Sequence, residues 1–363
     1  MKKVIVLGAT GTIGLNTLSV IGHLGSEWQA DLITAFSRKT ELEQLARQYN
    51  ARTFTTDSET MLKEIRESDA DIVVNGIAGA AGLLPSFETV RCGKRLALAN
   101  KETIVMAGAL LKAEAARSGA EIIPVDSEHA ALFELQRTAA PNQIRKLIIT
   151  ASGGAFRDTP LEDLTHVTPE QALRHPTWKM GPKITVDSAT MANKGLEVIE
   201  AVYLFDRRPD EIEVLIHPQS RIHALIQTAE GTFTAQISAP DMRIPIQNAL
   251  TYPEKAAAPS PDTDLTAEAL TFTRPDPRKY PMLPLAFRAA ESGLSATITY
   301  NAANEIAVAA FLGHRLPFLS IARLTEAVLN KPLPPAPASL EEVLTVDACA
   351  RTAAEQLLAS KAF

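Results

Sequence analysis

An α/β chain is predicted, with a parallel-sheet amino-terminal domain, an α+β middle domain and a carboxyl-terminal helical bundle. Three observations in the 363 residues predict it. Short β-branched runs alternate with helical spacings over the first third, the pattern of parallel strands joined by crossover helices. From Lys146 the alternation gives way to strands that can pair antiparallel. Beyond Pro284 almost every segment has helical spacing.

The elements follow in order. Val4 to Leu7 reads as a strand and Ile13 to Leu24 as a helix. Asp31 to Ala35 is the next strand, followed by the charged helix Glu41 to Tyr49. Asp71 to Val74, Arg95 to Ala99 and Glu121 to Val125 are further strands, short and apolar as strands covered on both faces should be. In the middle, Leu147 to Thr150 and Val214 to Ile216 are strands, and Ile222 to Gln227 pairs with Thr232 to Ile237 around Glu230-Gly231. The run Ala256 to Asp262, with two prolines, is a linker by composition. Four helices close the chain: Leu285 to Glu291, Ala302 to Leu312, Ile321 to Leu329 and Leu340 to Leu358. The expected domains are 1–145, 146–255 and 284–363, with 256–283 as linker.

Bulk composition narrows the function. Hydrophobic residues at 46% and charged residues at 21% supply real cores. A net charge of −6 argues against a nucleic-acid surface, which needs cations to neutralise phosphates. Two cysteines, Cys92 and Cys349, cannot build a disulfide framework, so a cytoplasmic location is expected. No apolar run approaches the ~18 residues of a membrane span, so no membrane partner is expected.

Gly8-Ala9-Thr10-Gly11-Thr12-Ile13-Gly14 follows the first strand and opens the first helix. Glycines there let the backbone turn tightly and approach a pyrophosphate, which the helix amino terminus then receives. A Rossmann-type dinucleotide domain is therefore expected, with Thr10, Gly11, Thr12 and Ile13 at the cofactor. After the second strand the chain reads Phe36-Ser37-Arg38-Lys39, with two cations and no acid. An acid there would bind the free 2′-hydroxyl of NAD, whereas Arg38 and Lys39 suit a 2′-phosphate, so NADPH is expected. Lys39 alone is equally well a solvated charge at a helix start.

Asp126-Ser127-Glu128-His129 closes a strand and precedes a helix. Two carboxylates two residues apart face the same way in an extended segment, and a cation between them relieves their repulsion. A helix N-cap explains the same residues, and on this segment alone it is the commoner explanation. A second segment, Lys183 to Glu197, is dense in polar groups. In a helix Glu197 neighbours Asn193 and Lys194, which gives a third oxygen ligand and a phosphate clamp; a surface ion pair fits the spacing equally. Ser152-Gly153-Gly154 is a further phosphate cradle. His175 to Pro182 brackets Trp178 and Met180 between prolines and resembles a lid that excludes water.

Together these blocks resemble the 1-deoxy-D-xylulose 5-phosphate reductoisomerase family. The similarity runs in order through Gly8–Gly14, Leu98–Glu102, Pro124–His129, Thr150–Gly154, His175–Gly181, Ile184–Glu200, Leu215–Ser220 and Asn301–Glu305. The resemblance implies a homodimer, NADPH, and Mg²⁺ or Mn²⁺ held by Asp126, Glu128 and Glu197. It implies that Ser152, His175, Ser188, Asn193 and Lys194 hold a substrate phosphate and that Lys101 and Ser127 reach the substrate hydroxyls. Trp178 and Met180 become the lid, and Asn100 and Glu102 join the cofactor contacts. The reaction implied is rearrangement of the carbon skeleton followed by reduction to 2-C-methyl-D-erythritol 4-phosphate. Two departures stand out. Ala155 replaces the usual proline, and the Phe36 to Lys39 segment lacks a common glycine, which bears on the adenosine contacts.

Two rivals share the first domain. A dehydrogenase of the aspartate-semialdehyde or homoserine kind needs no three-carboxylate metal site, and the first of these wants a nucleophilic cysteine, for which Cys92 before Gly93-Lys94 is a poor candidate. A catalytically silent NADP(H) sensor could have lost carboxylates or the clamp lysine, yet all are present.

Overall fold

The computed structural model describes residues 1–178 and 180–360. In chain order the first half contains β1 (Lys2–Leu7), α1 (Thr12–Leu24), β2 (Trp28–Thr34), α2 (Lys39–Gln48), β3 (Thr53–Thr55), α3 (Ser58–Glu67), β4 (Ile72–Asn75), α4 (Leu83–Arg91), β5 (Arg95–Leu98), α5 (Lys101–Ser118), β6 (Ile122–Pro124) and α6 (Ser127–Leu135). There follow β7 (Ile144–Ala151), α7 (Pro169–Ala172), α8 (Pro182–Thr190), α9 (Ala192–Leu204), β8 (Ile212–Ile216), β9 (Ile222–Thr228), β10 (Phe233–Ile237) and α10 (Arg243–Thr251). The helices α11 (Met282–Ser292), α12 (Leu294–Leu312), α13 (Ser320–Leu329) and α14 (Leu340–Ala359) end the chain.

Two compact units divide these elements. The first holds Met1–Thr103, Leu111–Thr138 and Ser238–Asp264; the second holds Ile104–Leu110, Ala139–Ile237 and Leu265–Phe363.

A six-stranded parallel sheet in the order β3-β2-β1-β4-β5-β6 organises the first unit. That is the doubly wound order, with its switch point between β1 and β4, where ligands bind beyond the strands' carboxyl ends. Val4, Val6, Val74 and Ala97 from the sheet share one core with Leu18, Val20 and Ile21 of α1. Ile246, Ala249 and Leu250 of α10 complete it. Compactness thus cuts across sequence order: Ser238–Asp264 packs with the amino-terminal elements because α10 offers that sheet its apolar face.

The second unit contains a four-stranded sheet in the order β10-β9-β7-β8, antiparallel except for β7 with β8. The expected pairing of the strands around Glu230-Gly231 is present. A helical core joins Val186 and Ala189 of α8, Leu196 and Ile199 of α9, and Tyr300, Ala307 and Phe311 of α12.

Some elements differ from the sequence reading. β3 and α3 were not expected, and α12 begins at Leu294 rather than Ala302. Thr297, Ile298, Thr299 and Tyr300 stand in a row near its start, residue types that favour strands by propensity. Burial of nearly every side chain on α12 overrides that preference, since Ala296 through Asn304 are all inside. Asp126 and Glu128 are not on an extended segment either: β6 ends at Pro124, and Glu128 lies in the first turn of α6.

Candidate functional site

In the first unit the glycine loop is built for close approach. Gly8 sits at φ 76, a region that disfavours any Cβ. A Cβ on Gly14 would lie 2.4 Å from both the Ala9 Cα and the Gly8 carbonyl oxygen, so α1 can begin tight against the turn only with glycine there. Thr10, Gly11, Thr12 and Ile13 span this turn, and Gly11, at the N-cap of α1, provides no side-chain cap. The first-turn N–H groups are thereby left for an anion, with no acid in that turn to repel it. These features fit a dinucleotide pyrophosphate.

Phe36, 94% exposed, and Arg38, also exposed, follow β2. Arg38 pairs with Glu41 at 3.2 Å, a surface contact of little energetic weight, and Lys39 starts α2. Asn100 is buried, and its amide is already committed. It donates to the carbonyls of Ile77 and Gly79 and accepts from the Thr103 N–H at 2.8 Å. It thereby ties the Gly76 to Gly82 loop to the start of α5, where Glu102 is also buried.

Asp126 occupies the N-cap position of α6 but makes no side-chain cap bond. Its carboxylate instead lies 2.6 Å from the Lys101 ammonium, which is itself buried. His129, fully buried, has Nδ1 3.6 Å from the other Asp126 oxygen. Ser127 Oγ donates to Glu128. The capping explanation for Asp126 is therefore set aside, and Lys101, Asp126, Ser127 and Glu128 form one polar cluster at the β6–α6 junction.

In the second unit Ser152, Gly153 and Gly154 follow β7, both glycines with positive φ. A Cβ on Gly154 would meet the Ser188 carbonyl oxygen at 2.4 Å, so the turn lies directly on α8. Arg157 donates to the Ser152 carbonyl at 3.1 Å and Tyr280 to the Gly153 carbonyl at 3.1 Å. Neither was legible as a site residue. Tyr280 lies 127 positions from Gly153, and burial pushes its phenol up to about 12, keeping it a neutral donor.

His175 brings the cradle together. Its Nε2 lies 3.0 Å from Ser152 Oγ and 3.1 Å from Ser188 Oγ. Its Nδ1 accepts from the N–H groups of Thr177 at 3.1 Å and Trp178 at 2.9 Å. With Nδ1 an acceptor, the ring proton resides on Nε2, which faces the two hydroxyls. Burial and then the nearby Arg157 lower the imidazole's pKa to about 4, so it stays neutral. The same Nδ1 bonds anchor the segment carrying Trp178 and Met180, both half-buried; Lys179 lies outside the described residues. Between the ordinary histidine pKa near ~6.5 and about 4 the unfolded chain binds more protons, so stability contributed by His175 is present above ~6.5 and lost as pH falls toward 4. Denaturant midpoints should therefore fall faster with acid in the wild type than in His175→Gln; parallel curves would contradict this.

α9 presents Asn193 and Lys194 in its first turn and Glu197 one turn on. Asn193 Nδ2 donates to one Glu197 oxygen at 2.6 Å, and Lys194 Nζ meets the other. Lys194 and Glu197 are both buried, so the surface-pair alternative does not hold. Desolvating such a pair is expensive, and apolar residues would pack as well or better. Within each unit these carboxylates, Asp126 and Glu128 in the first and Glu197 in the second, offer the hard oxygen donors that Mg²⁺ or Mn²⁺ takes.

The chain matches two models described as carboxyl-terminal domains of this enzyme family, over residues 122–205 and 237–353. A third, 1-deoxy-D-xylulose 5-phosphate reductoisomerase, matches residues 4–69 and 51–108. The protein of that name from Pseudomonas aeruginosa (strain UCBPP-PA14) is 45% identical over 98% of each chain. The solved Zymomonas mobilis reductoisomerase in complex with NADPH superposes with a TM-score of 0.91 at 38% identity, covering 98% of this chain and 99% of that one. A DOX-P reductoisomerase in complex with NADPH, fosmidomycin and magnesium gives 0.92 at 36% identity, covering 99% and 98%. With a glycine turn fitted to a dinucleotide, buried carboxylates beside ammoniums and a serine–histidine cradle, the chain belongs to the 1-deoxy-D-xylulose 5-phosphate reductoisomerase family.

Proposed function

We propose that this chain converts 1-deoxy-D-xylulose 5-phosphate to 2-C-methyl-D-erythritol 4-phosphate, using NADPH and Mg²⁺ or Mn²⁺, in isoprenoid synthesis outside the mevalonate route. The observation that carries this is the full-length match to reductoisomerases, one of them solved with NADPH, fosmidomycin and magnesium. In this reading residues 1–145 carry NADPH, and 146–255 carry the substrate and the contact of a homodimer. Residues 256–283 link these to the bundle at 284–363. The homodimer rests on the family resemblance, and a cytoplasmic location on a cysteine count too low for a disulfide framework. Among the described residues no helix is long and apolar enough to cross a membrane.

By the family resemblance Asp126, Glu128 and Glu197 would hold the divalent ion, which would polarise the substrate's ketone and acidify a neighbouring hydroxyl. NADPH supplies the hydride. The chain's own residues do the rest. Ser152, Ser188 and the neutral His175 offer hydroxyl and N–H donors to the substrate phosphate, and Asn193 and Lys194 add an amide and a charge. That binding energy is remote from the reacting carbons and serves to orient them. Lys101 and Ser127 orient the substrate hydroxyls beside Asp126 and Glu128. The segment with Trp178 and Met180 covers the substrate and keeps water from reactive species.

Arg38 and Lys39 receive the 2′-phosphate, with Thr10 to Ile13, Asn100 and Glu102 completing the cofactor site. Removing both cations (Arg38→Ala with Lys39→Ala) is expected to raise the KM for NADPH about tenfold or more, the worth of one charged hydrogen bond, and to leave the KM for NADH nearly unchanged. Steady-state oxidation of the two cofactors, with product identified by mass, checks both the reaction and the preference. A wild-type enzyme faster with NADH would contradict the role of Arg38 and Lys39.

A further inference from the structure

The two parts of the phosphate clamp lie on different helices. Ser188 belongs to α8, Asn193 and Lys194 to α9, and the chain between them turns through Met191 at φ 59 and ψ 14. This is the left-handed region, which a residue with a Cβ disfavours, and Met191 is buried. Local bonds in the turn run from the Met191 N–H to the Ser188 carbonyl at 3.3 Å, from Thr190 Oγ1 to the Asp187 carbonyl at 3.2 Å, from the Ala192 N–H to Thr190 Oγ1 at 3.2 Å and from the Gly195 N–H to the Met191 carbonyl at 2.9 Å.

A stronger tie comes from 117 residues away. Asn304 of α12, fully buried, donates from Nδ2 to Asp187 Oδ1 at 2.8 Å. The Asp187 carboxylate, 1% exposed, also lies 2.9 Å from Lys183 one turn earlier. Next to Asn304, Glu305 is held by Arg351 of α14 at 2.7 Å and accepts from Asn301 at 3.2 Å. A buried carboxylate is a poor choice for helix cohesion, which Val186, Ala189 and Ala307 already supply. What it adds is direction. Successive residues on a helix are ~100° apart, so pinning Asp187 against α12 fixes the azimuth of Ser188. On its other side α8 is met by the Gly154 turn, so Ser188 is bracketed.

We propose that Asn304, acting through Asp187, is a positioning residue for the substrate phosphate. The bond sets the rotation of α8 at which Ser188 faces His175, and it holds the left-handed turn from which Asn193 and Lys194 start. This rests on the phosphate-clamp reading above.

The test uses the full-length enzyme with inorganic phosphate as competitor. Asn304→Leu keeps the volume and cannot donate. It is expected to raise the substrate KM and the phosphate inhibition constant together, each about tenfold, as loss of one charged hydrogen bond would. The NADPH dissociation constant, read from nicotinamide fluorescence, should stay within about twofold. Asn304→Asp, which sets carboxylate against carboxylate, should be worse. Combining it with Asp187→Asn restores a donor and an acceptor in reversed order and should recover most of the phosphate affinity. Should Asn304→Leu not fold, the single and double exchange variants make the same comparison. Unchanged phosphate inhibition in folded Asn304→Leu, a parallel loss of NADPH affinity, or no rescue in the double variant overturns the inference. Ser188→Ala separates the two levels. If it leaves phosphate inhibition intact, the clamp reading fails and the inference falls with it. If Ser188→Ala weakens phosphate and Asn304→Leu does not, only the positioning role fails.

Discussion

Glu197→Gln is expected to lower kcat/KM for 1-deoxy-D-xylulose 5-phosphate by about a thousandfold or more. The exchange is nearly isosteric, and the amide oxygen still accepts from Asn193 or Lys194, which hold the carboxylate now. What disappears is a negative charge and a hard oxygen from a buried site. Polarisation of substrate oxygens by a divalent ion contributes several kcal/mol, and each ~1.4 kcal/mol is tenfold in rate, so losing about 4 kcal/mol gives the stated factor. Steady-state NADPH oxidation over a range of Mg²⁺ concentrations measures it, and excess Mg²⁺ should restore little. Retention of more than about a tenth of wild-type activity would sink the assignment of Glu197 as a ligand, since a lost ligand cannot cost so little.

Lys194→Met separates binding from chemistry. The ammonium is buried against Glu197, and in the proposed function it also faces the substrate phosphate. Its removal breaks a buried ion pair, at a cost of about 3–5 kcal/mol in stability, so the denaturation midpoint should fall clearly. The substrate KM should rise about a hundredfold while kcat falls less, because the phosphate is remote from the reacting carbons. Denaturant titration and saturation kinetics on the same preparation read both effects. A stable variant with unchanged KM would mean that Lys194 serves neither Glu197 nor the phosphate.

These effects concern residues that could be chosen from sequence because the determinants are local. The glycine turn after β1 and the first turn of α9 each fit within a few residues; spacing in context carries the first, while the second fitted a surface ion pair equally and took its role from the family resemblance. Asp126 shows the limit of that approach. Its position is that of a helix cap, and only the 2.6 Å contact with Lys101 reveals that the carboxylate is used otherwise. Long-range partners were not legible. Arg157 and Tyr280 hold the Ser152 to Gly154 turn through backbone carbonyls, and Asn304 reaches Asp187 across the helical core. No periodicity marks a buried polar pair, because each member looks like an ordinary polar residue in its own helix.

The fold follows the same division. Five strands of the six-stranded sheet were visible, in runs such as Val4 to Leu7 and Ile72 to Val74, whose continuous apolar character reports burial on both faces. β3 has only three residues, and α3 buries just Met61 and Ile65, too little pattern to distinguish it from a solvated loop. α10 was hidden for another reason: its partners lie on α1 and the first sheet, far away in sequence.

The most direct test of the central claim is NADPH oxidation on addition of 1-deoxy-D-xylulose 5-phosphate, before and after exhaustive treatment with a chelator. Turnover is expected to stop when divalent ions are removed and to return on adding Mg²⁺ or Mn²⁺, with 2-C-methyl-D-erythritol 4-phosphate as the product. Turnover that survives complete metal removal would contradict the three-carboxylate site at Asp126, Glu128 and Glu197.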